Sequence, residues 1–350
     1  MTSQPQPHPA RQPVKAAPID QARVTEGLRQ AVAAIPHAAA TGKALAHDID
    51  RVYLIGCGAP NRVMLTLEYW LDHTRTTLQV KRYYPAEFMT LEPTLDERTL
   101  VILGSKSGTT KETVEAARFL HDKPCRTLAV TSTEDAPLAR AAQQSILMGD
   151  TEQAHTGMFI VLQALVGGLM HARDGWPHLP ALQRSLAALP AVLVEAARQN
   201  DERGRHDAHT YQHDRVLYHL ASGPTYATAY VFGVCMLMEM QWMHSVPIEA
   251  AEWFHGPFEI LDEHTPVMLL LGEDPSRPLM ERALTFCRKY TNRLMIYDSR
   301  EYAMTGIDPD IRPIVAPFVL QAALNRFAEH LAELRNHHLD TRRYMWVTEY

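Results

Sequence analysis

Cysteine is scarce in this chain of 350 residues, and its four copies stand far apart. Cys57, Cys125, Cys235 and Cys287 form neither a C-x-x-C metal pattern nor the closely spaced framework of a disulfide-rich protein. We interpret them as small hydrophobic residues of a protein in a reducing compartment. The sequence therefore predicts no structural metal and no disulfide.

Long apolar runs and a basic excess are also missing. No stretch reaches the ~18 consecutive apolar residues of a membrane span, and no apolar signal segment follows Met1. The net charge of −6 and the pI near 6.3 argue against nucleic acid or a membrane surface as partner, because both need a basic footprint. We expect a cytoplasmic protein that binds neither.

The sequence does contain two similar series of short apolar runs, each followed by a glycine or hydroxyl turn and a helical segment. The runs of the first half are 51–56, 101–104 and 127–132, and those of the second half are 216–221, 267–272 and 293–298. Strands that alternate with helices indicate parallel α/β sheets with ligand sites at the carboxyl ends of the strands. The similar spacing predicts two α/β domains of the same fold.

The expected boundaries follow from composition. Residues 1–18 are rich in proline and are predicted to be a disordered tail. Residues 19–199 form the first domain with an N-terminal helical segment, and we expect breaks at Pro36 and Pro190. Residues 200–335 form the second domain, whose start, including His209 and His213, we interpret as a polar linker rather than a metal site. Residues 336–350 form a tail that packs near the active site, because Tyr344 and Trp346 are too aromatic to remain in solvent.

The segment from Ser105 to Thr110 follows an apolar run and opens a helix. Its hydroxyls, its glycine and the helix N-terminus offer hydrogen-bond donors and a positive dipole end, which suits a phosphate. A capped loop with solvated hydroxyls is the alternative. The segment is not a P-loop, and the turn at Gly56 lacks the third glycine of a dinucleotide fingerprint.

A second candidate for chemistry is the stretch from Glu239 to His255. Glu239 ends an apolar helical run, where burial would raise its pKa towards that of a general base. His255 stands just before Gly-Pro, at the end of an element. The alternatives are a carboxylate satisfied by Gln241 or His244 and a structural histidine. We interpret Met236, Met238 and Met240 as core residues.

These motifs resemble a known family. The phosphate-type loop after a strand, the earlier Gly-x-Gly turn and the Glu and His of the second half are similar to the SIS (sugar isomerase) domain in tandem. Residues 238–244, 252–260 and 341–346 resemble the bacterial fructosamine-6-phosphate deglycases. The resemblance implies two parallel sheets, each flanked by helices in a flavodoxin-like three-layer sandwich.

The resemblance also assigns roles to residues. It implies a catalytic pair, Glu239 and His255. It implies that the substrate and its 6-phosphate are bound by a set of residues from both halves: Gly58, Ser105, Lys106, Ser107, Thr110, Ser222, Gly223 and Glu252. Pro60 departs from the family pattern, which often has serine there, so we expect the first turn to contribute shape more than hydrogen bonds.

The implied activity is a deglycase reaction. A 6-phosphofructosyl amino acid, formed with aspartate, asparagine or glutamine, would give glucose 6-phosphate and the free amino acid by proton transfer from C1 to C2 and hydrolysis of a Schiff base. No nicotinamide, flavin or metal is expected, because nothing is oxidised or reduced. The resemblance implies a homodimer with shared active sites. The alternatives are an isomerase or deaminase of amino-sugar phosphates and a sugar-phosphate sensor without catalysis.

Overall fold

Two parallel β-sheets organise the chain. A computed structural model describes residues 13–74 and 76–349. The strands are β1 Arg51–Gly56, β2 Gln79–Tyr83, β3 Thr99–Gly104, β4 Arg126–Thr131, β5 Gln144–Leu147, β6 Val216–Ala221, β7 His244–Glu249, β8 Val267–Leu271 and β9 Leu294–Asp298. The α-helices are α1 Gln21–Ala33, α2 Ile35–Leu45, α3 Gly58–His73, α4 Pro85–Leu91, α5 Lys111–Phe119, α6 Pro137–Ala141, α7 Ala154–Asp174, α8 Leu179–Gln199, α9 Asp201–Tyr211, α10 Tyr226–Tyr230, α11 Arg277–Cys287 and α12 Arg312–Leu334. A π-helix, Val231–Met240, continues α10.

The two sheets share one topology. The first has the strand order β2-β1-β3-β4-β5, and the second has β7-β6-β8-β9, which repeats the first four positions. Neighbouring strands pair in parallel in both sheets. The predicted duplication of an α/β fold is confirmed. In each sheet the chain changes direction beside the first strand, and ligands of such sheets bind in the crevice at that point.

Three strands were not predicted: β2, β5 and β7. All three lie at sheet edges, where one side has no neighbouring strand. Most of their residues are exposed or partly buried, so they lack the continuous apolar run of a central strand. Pro247 is tolerated in β7 because an edge strand needs hydrogen bonds on one side only.

Two expectations about helices are wrong. Pro190 lies inside α8, which continues through it. The supposed linker after residue 199 is the helix α9. Its composition is polar, but Gly204 lets the helix pack tightly on α12, since an added Cβ would lie 2.9 Å from the Phe327 backbone nitrogen. The predicted break at Pro36 falls at Ala34, between α1 and α2.

Helix α7 lies in the main hydrophobic core, against α1, α2 and α3. It is long and apolar enough to cross a membrane by length and composition, with a mean hydropathy of 1.3 over its 18-residue window. However, 83% of that window is buried inside the protein, as in the core helix of a soluble protein. We therefore interpret α7 as a core helix.

The N-terminal segment is ordered where the structure describes it. The backbone N–H groups of Val14 and Ala17 donate to Asn336 at 3.0 Å and to Glu329 at 3.1 Å, and Arg326 donates to the Ala17 carbonyl. The expectation of a disordered tail is wrong for residues 13–18, because polar side chains on and just after α12 satisfy this backbone. Residues 1–12 of that expectation lie outside the described residues.

Candidate active site

The loop from Ser105 to Thr110 connects β3 to α5 at the carboxyl edge of the first sheet. The Ser105 side chain is buried, and its hydroxyl lies 2.9 Å from the Thr110 hydroxyl and accepts from the Gly108 N–H at 3.1 Å. Ser107 is exposed and accepts from the Thr109 N–H and hydroxyl. The sequence correctly predicted a hydroxyl-rich loop at a helix N-terminus, and phosphate binding there stays a prediction.

Gly108 fixes the shape of this loop. Its φ is +62°, and an added Cβ would lie 2.4 Å from the Ala136 Cβ and 2.7 Å from the Thr131 hydroxyl. The Thr131 hydroxyl and the Ser132 N–H both donate to the Lys106 carbonyl from the end of β4. These hydrogen bonds from the end of β4 fix the position of the loop in the absence of a ligand. Lys106 adds a mobile positive charge, since its only ion pair in the described structure is a long one of 3.8 Å to the exposed Asp150.

The neighbouring turn, from β1 to α3, leaves room for a ligand. Gly58 has a φ of +56°, and nothing lies within 4 Å of the position a Cβ would take. Pro60 lies in the first turn of α3 and has no N–H to donate. The arrangement agrees with a turn that contributes shape and open space.

The equivalent turn of the second sheet is occupied by the protein itself. The Ser222 hydroxyl lies 2.8 Å from the Ser276 hydroxyl, and the Cβ position of Gly223 lies 2.7 Å from an Asp274 carboxylate oxygen. Tyr69 of α3 donates to the same carboxylate at 3.0 Å. A phosphate at this turn would meet the negative charge of Asp274, and phosphate binding by Ser222 and Gly223 stays a prediction. The hydrogen bond from Tyr69 thus joins the first half of the chain to this turn.

Glu239 lies at the end of the π-helix and is paired with the C-terminal tail. Its carboxylate is 2.9 Å from the Arg342 guanidinium, and the two side chains are 25% and 9% exposed. Burial raises the pKa of Glu239, and Arg342 opposes part of that rise. The direction of this change in pKa agrees with the prediction, but no sequence pattern indicated that a buried cation opposes it.

Glu239 borders a cavity of about 580 Å³ between the π-helix and the tail. The cavity is lined by Met238, Glu239, Trp242, Met243, His244, Arg342, Arg343, Tyr344 and Met345. Met238 is 44% exposed, so the expectation that it packs in the core is wrong, whereas Met236 is buried and Met240 packs against the core. Tyr344 and Trp346 are exposed in the single chain, contrary to the expectation from their aromatic character.

The tail is attached to this wall at several points. Gln241 donates to the His337 carbonyl at 2.8 Å, and the His337 ring lies edge-on to Trp242. The Arg343 guanidinium lies over the Trp242 ring, 4.2 Å from its centre. The position of the tail and the position of the Glu239 carboxylate are therefore linked.

His255 lies in the connection between β7 and β8 and is exposed. Within residues 13–74 and 76–349, its ring makes no hydrogen bond or ion pair with Glu239. Glu252 is also exposed, and its carbonyl accepts from the His255 N–H in a turn. The structure of one chain thus leaves both side chains facing outwards, away from any shared contact with the carboxylate.

Arg62, near the start of α3, is a residue that no sequence pattern singled out. It is buried in α3, donates to the Tyr84 hydroxyl, and lies 4.0 Å from the centre of the Tyr230 ring. The charges of Arg62, Glu239 and Arg342 all act on the pKa of the Cys235 thiol, which burial raises to about 12. Helix α3, which starts at the Gly58 turn, packs against the π-helix. Helix α3 therefore links the Gly58 turn to the π-helix that carries Glu239.

Glu249 is a second unpredicted residue. It ends β7, opposite Ala221, and burial raises its pKa to about 7, with Asp274 and Glu252 adding to the rise. It does not line the Glu239 cavity, so we leave it outside the proposed chemistry. The part of the chain that the structure describes contains no group of three or more His, Cys, Asp or Glu side chains arranged to hold a metal ion.

The sheet topology and the hydroxyl-rich loop define a class of sugar-phosphate proteins. The SIS domain model matches residues 46–166. A solved structure from Bacillus subtilis, described as a phosphosugar isomerase, superposes with a TM-score of 0.85 at 38% identity, covering 92% of this chain and all of the other. Two α/β halves of the SIS type thus account for the whole fold.

Curated relatives narrow the class. The fructosamine deglycase of Bacillus subtilis is 40% identical over 305 residues, which cover 86% of this chain and 93% of the relative. The agropine synthesis conjugase of Rhizobium rhizogenes is 33% identical over 317 residues, 87% and 88% of the two chains. This chain belongs to the SIS-domain fructosamine deglycase family.

Proposed function

We propose that this protein is a deglycase of Amadori-type phosphosugar amino acids, and that it releases glucose 6-phosphate and a free amino acid. The family membership supports an enzyme of this kind. The observation that carries the proposal is Glu239, a half-buried carboxylate on the wall of a cavity, in a helix that packs on the helix of the Gly58 turn. We also propose that it acts in the cytoplasm, where sugar phosphates are made.

The phosphate would bind at the first-half loop. The rigid backbone at Gly108, the hydroxyl of Ser107, the ammonium of Lys106 and the N-terminus of α5 offer donors and positive charge. Fixing the phosphate there leaves the other end of the sugar to extend towards the second half. Glu239 would then face C1 and C2.

The chemistry needs one base that works on two neighbouring carbons. Glu239 removes a proton from C1 of the ketose amine, and the electron pair forms an enaminol as the C2 carbonyl oxygen gains a proton. The same carboxyl then returns a proton to C2, and loss of the N–H proton gives the aldose Schiff base. Water adds at C1 and the amine leaves, so that no electron donor or acceptor is consumed. A carboxyl whose pKa is raised by burial suits this shuttle.

His255 would act as the acid for ring opening and for the leaving amine. Because it is exposed and makes no hydrogen bond or ion pair with Glu239 within the described residues of its own chain, we propose that it serves the site of a second copy in a homodimer. Mixing inactive Glu239→Gln and His255→Ala proteins tests this. Shared sites predict that activity returns on mixing, whereas sites contained in one chain predict that it does not.

The function is tested by incubating the protein with 6-phosphofructosyl amino acids and measuring glucose 6-phosphate with a coupled dehydrogenase. We expect turnover by the wild type and a loss of ~100-fold or more in the Glu239→Gln variant, which cannot carry the proton. Turnover within a few-fold of wild type in that variant would refute the assigned base. No product from any amine, together with thermal stabilisation by the ligand, would favour a sensor.

The direction of the reaction is a separate question, because one relative is named a conjugase. The same steps in reverse join glucose 6-phosphate to an amine. Mixing glucose 6-phosphate with an excess of amino acid and following the adduct measures the equilibrium. We expect net cleavage at low amine concentration, since water is the reactant in excess.

A further inference from the structure

The cavity beside Glu239 has a wall that the sugar phosphate does not explain. Met238 and Trp242 line it and are large apolar residues that are 44% and 39% exposed, and Met243 and Met345 also line it. A volume of about 580 Å³ is in the range of small-molecule sites. Apolar surface of this extent next to a reactive carboxylate favours an apolar ligand group.

The same wall of the cavity contains a positively charged side chain, Arg343. Arg343 is exposed and held over the Trp242 ring at 4.2 Å, and in residues 13–74 and 76–349 it has no carboxylate partner. Arg342 differs, because its two terminal nitrogens already contact Glu239 and the carbonyls of Leu339 and Thr341. The contact with the Trp242 ring orients the Arg343 guanidinium and leaves its positive charge available to a ligand.

We propose that this cavity is the subsite for the amino-acid part of the substrate: Arg343 binds the α-carboxylate, and Met238, Trp242 and Met243 contact an apolar or aromatic side chain. The proposal rests on the deglycase function proposed above. When C1 faces Glu239, the amine nitrogen is bonded to C1 and must enter this cavity. The α-carboxylate is two bonds further, beside the side chain. This changes the expected amino acid from aspartate, asparagine or glutamine to one such as leucine or phenylalanine.

The test compares three substrates, the 6-phosphofructosyl adducts of leucine, of 3-methylbutylamine and of aspartate. The first two differ only in the carboxylate. We expect the leucine adduct to be best, with kcat/KM about 10- to 100-fold above that of the amine adduct, as a charged hydrogen-bonding pair supplies. Arg343→Gln should remove this advantage and leave the amine adduct within about two-fold of wild type.

Two further variants sharpen the result. Arg288→Gln changes an exposed arginine outside the cavity and should alter neither substrate. Met238→Ser should lower kcat/KM for the leucine adduct more than for the aspartate adduct. The inference is overturned if Arg343→Gln affects the leucine and amine adducts equally or not at all, or if aspartate is preferred over leucine. Turnover of other 6-phosphofructosyl amino acids but of none of these three would overturn this inference alone, whereas absence of product from every such adduct with wild-type protein would refute the deglycase function, and this inference with it.

Discussion

Arg342→Met is the change that most directly probes the pairing at Glu239. The Arg342 side chain is 9% exposed and its guanidinium is 2.9 Å from the carboxylate, so little water competes with the contact. Burial raises the pKa of Glu239, and Arg342 opposes that rise. Without the guanidinium nothing opposes the effect of burial, so the pKa of Glu239 should rise further.

The size of the shift follows from the contact. A hydrogen bond to a charged group contributes about 1.5–3 kcal/mol, and one pKa unit corresponds to ~1.4 kcal/mol. Because a quarter of the Glu239 side chain is exposed, we take the lower part of that range, about 1.5–2 kcal/mol, as the stabilisation of the charged carboxylate that the variant loses. Met keeps much of the volume of the arginine stem, so the tail retains most of its packing.

The assay is the pH dependence of kcat/KM between about pH 5 and pH 9, measured on quenched samples so that the coupling enzyme does not limit the range. Glu239 acts as a charged base, so activity rises with pH through its pKa, and the acid limb of the variant should lie at higher pH. At a pH below both pKa values the variant should be about 10- to 30-fold slower. Above both values it should approach wild type.

Two controls accompany this measurement. Arg342→Lys keeps a positive charge and should leave the limb close to that of wild type, and the exposed Arg288→Met should not move it. Urea unfolding of each variant shows whether the fold is intact. An acid limb that stays in place in Arg342→Met, or moves to lower pH, would refute the idea that this pair sets the basicity of Glu239.

Two other predictions concern the turns and Glu249. Gly108→Ala should lower the free energy of unfolding in urea by about 2–4 kcal/mol, because the added Cβ would overlap Ala136 and Thr131 at a φ of +62°. Gly58→Ala, with a φ of +56° and free space around the Cβ, should lower it by about 1 kcal/mol. Equal losses would contradict the packing argument. Glu249→Gln should change the pH dependence of stability, because the wild type is stabilised by a protonated Glu249 below about pH 4.5 and loses this stabilisation as pH rises through its pKa of about 7. The free energy of unfolding of the variant should therefore rise by about 1–2 kcal/mol relative to wild type between pH 5 and pH 8, after allowance for solvent screening. A difference that does not change with pH would show that the pKa of Glu249 is ordinary.

The position of the loop from Ser105 to Thr110 could be predicted from the local sequence. Ser105, Gly108 and Thr110 follow a buried strand and precede a helix, and each step of that inference depends on neighbours in the chain. The duplicated topology is predictable for the same reason, because central strands are continuous apolar runs. This argument does not predict edge strands such as β2 and β7, since most of their residues are exposed or only partly buried.

The environment of Glu239 depends on contacts that no local pattern records. Arg342 reaches it from the C-terminal tail, far along the chain. Met238 was assigned to the core from its apolar neighbours, but the π-type hydrogen bonding of Val231–Met240 changes which residues face outwards relative to a 3.6-residue period. Tyr344 and Trp346 show the reverse error, because aromatic character alone does not determine burial in one chain.

The most direct test of the central claim, that Glu239 moves a proton between C1 and C2 of a phosphate-anchored ketose amine, is turnover in deuterium oxide followed by NMR. Glu239 is partly exposed, so its proton should exchange with solvent. The account predicts glucose 6-phosphate with deuterium at C2 from the wild type, and neither product nor deuterium exchange at C1 of the substrate with Glu239→Gln. Product formation or C1 exchange by that variant at a rate near wild type would contradict it.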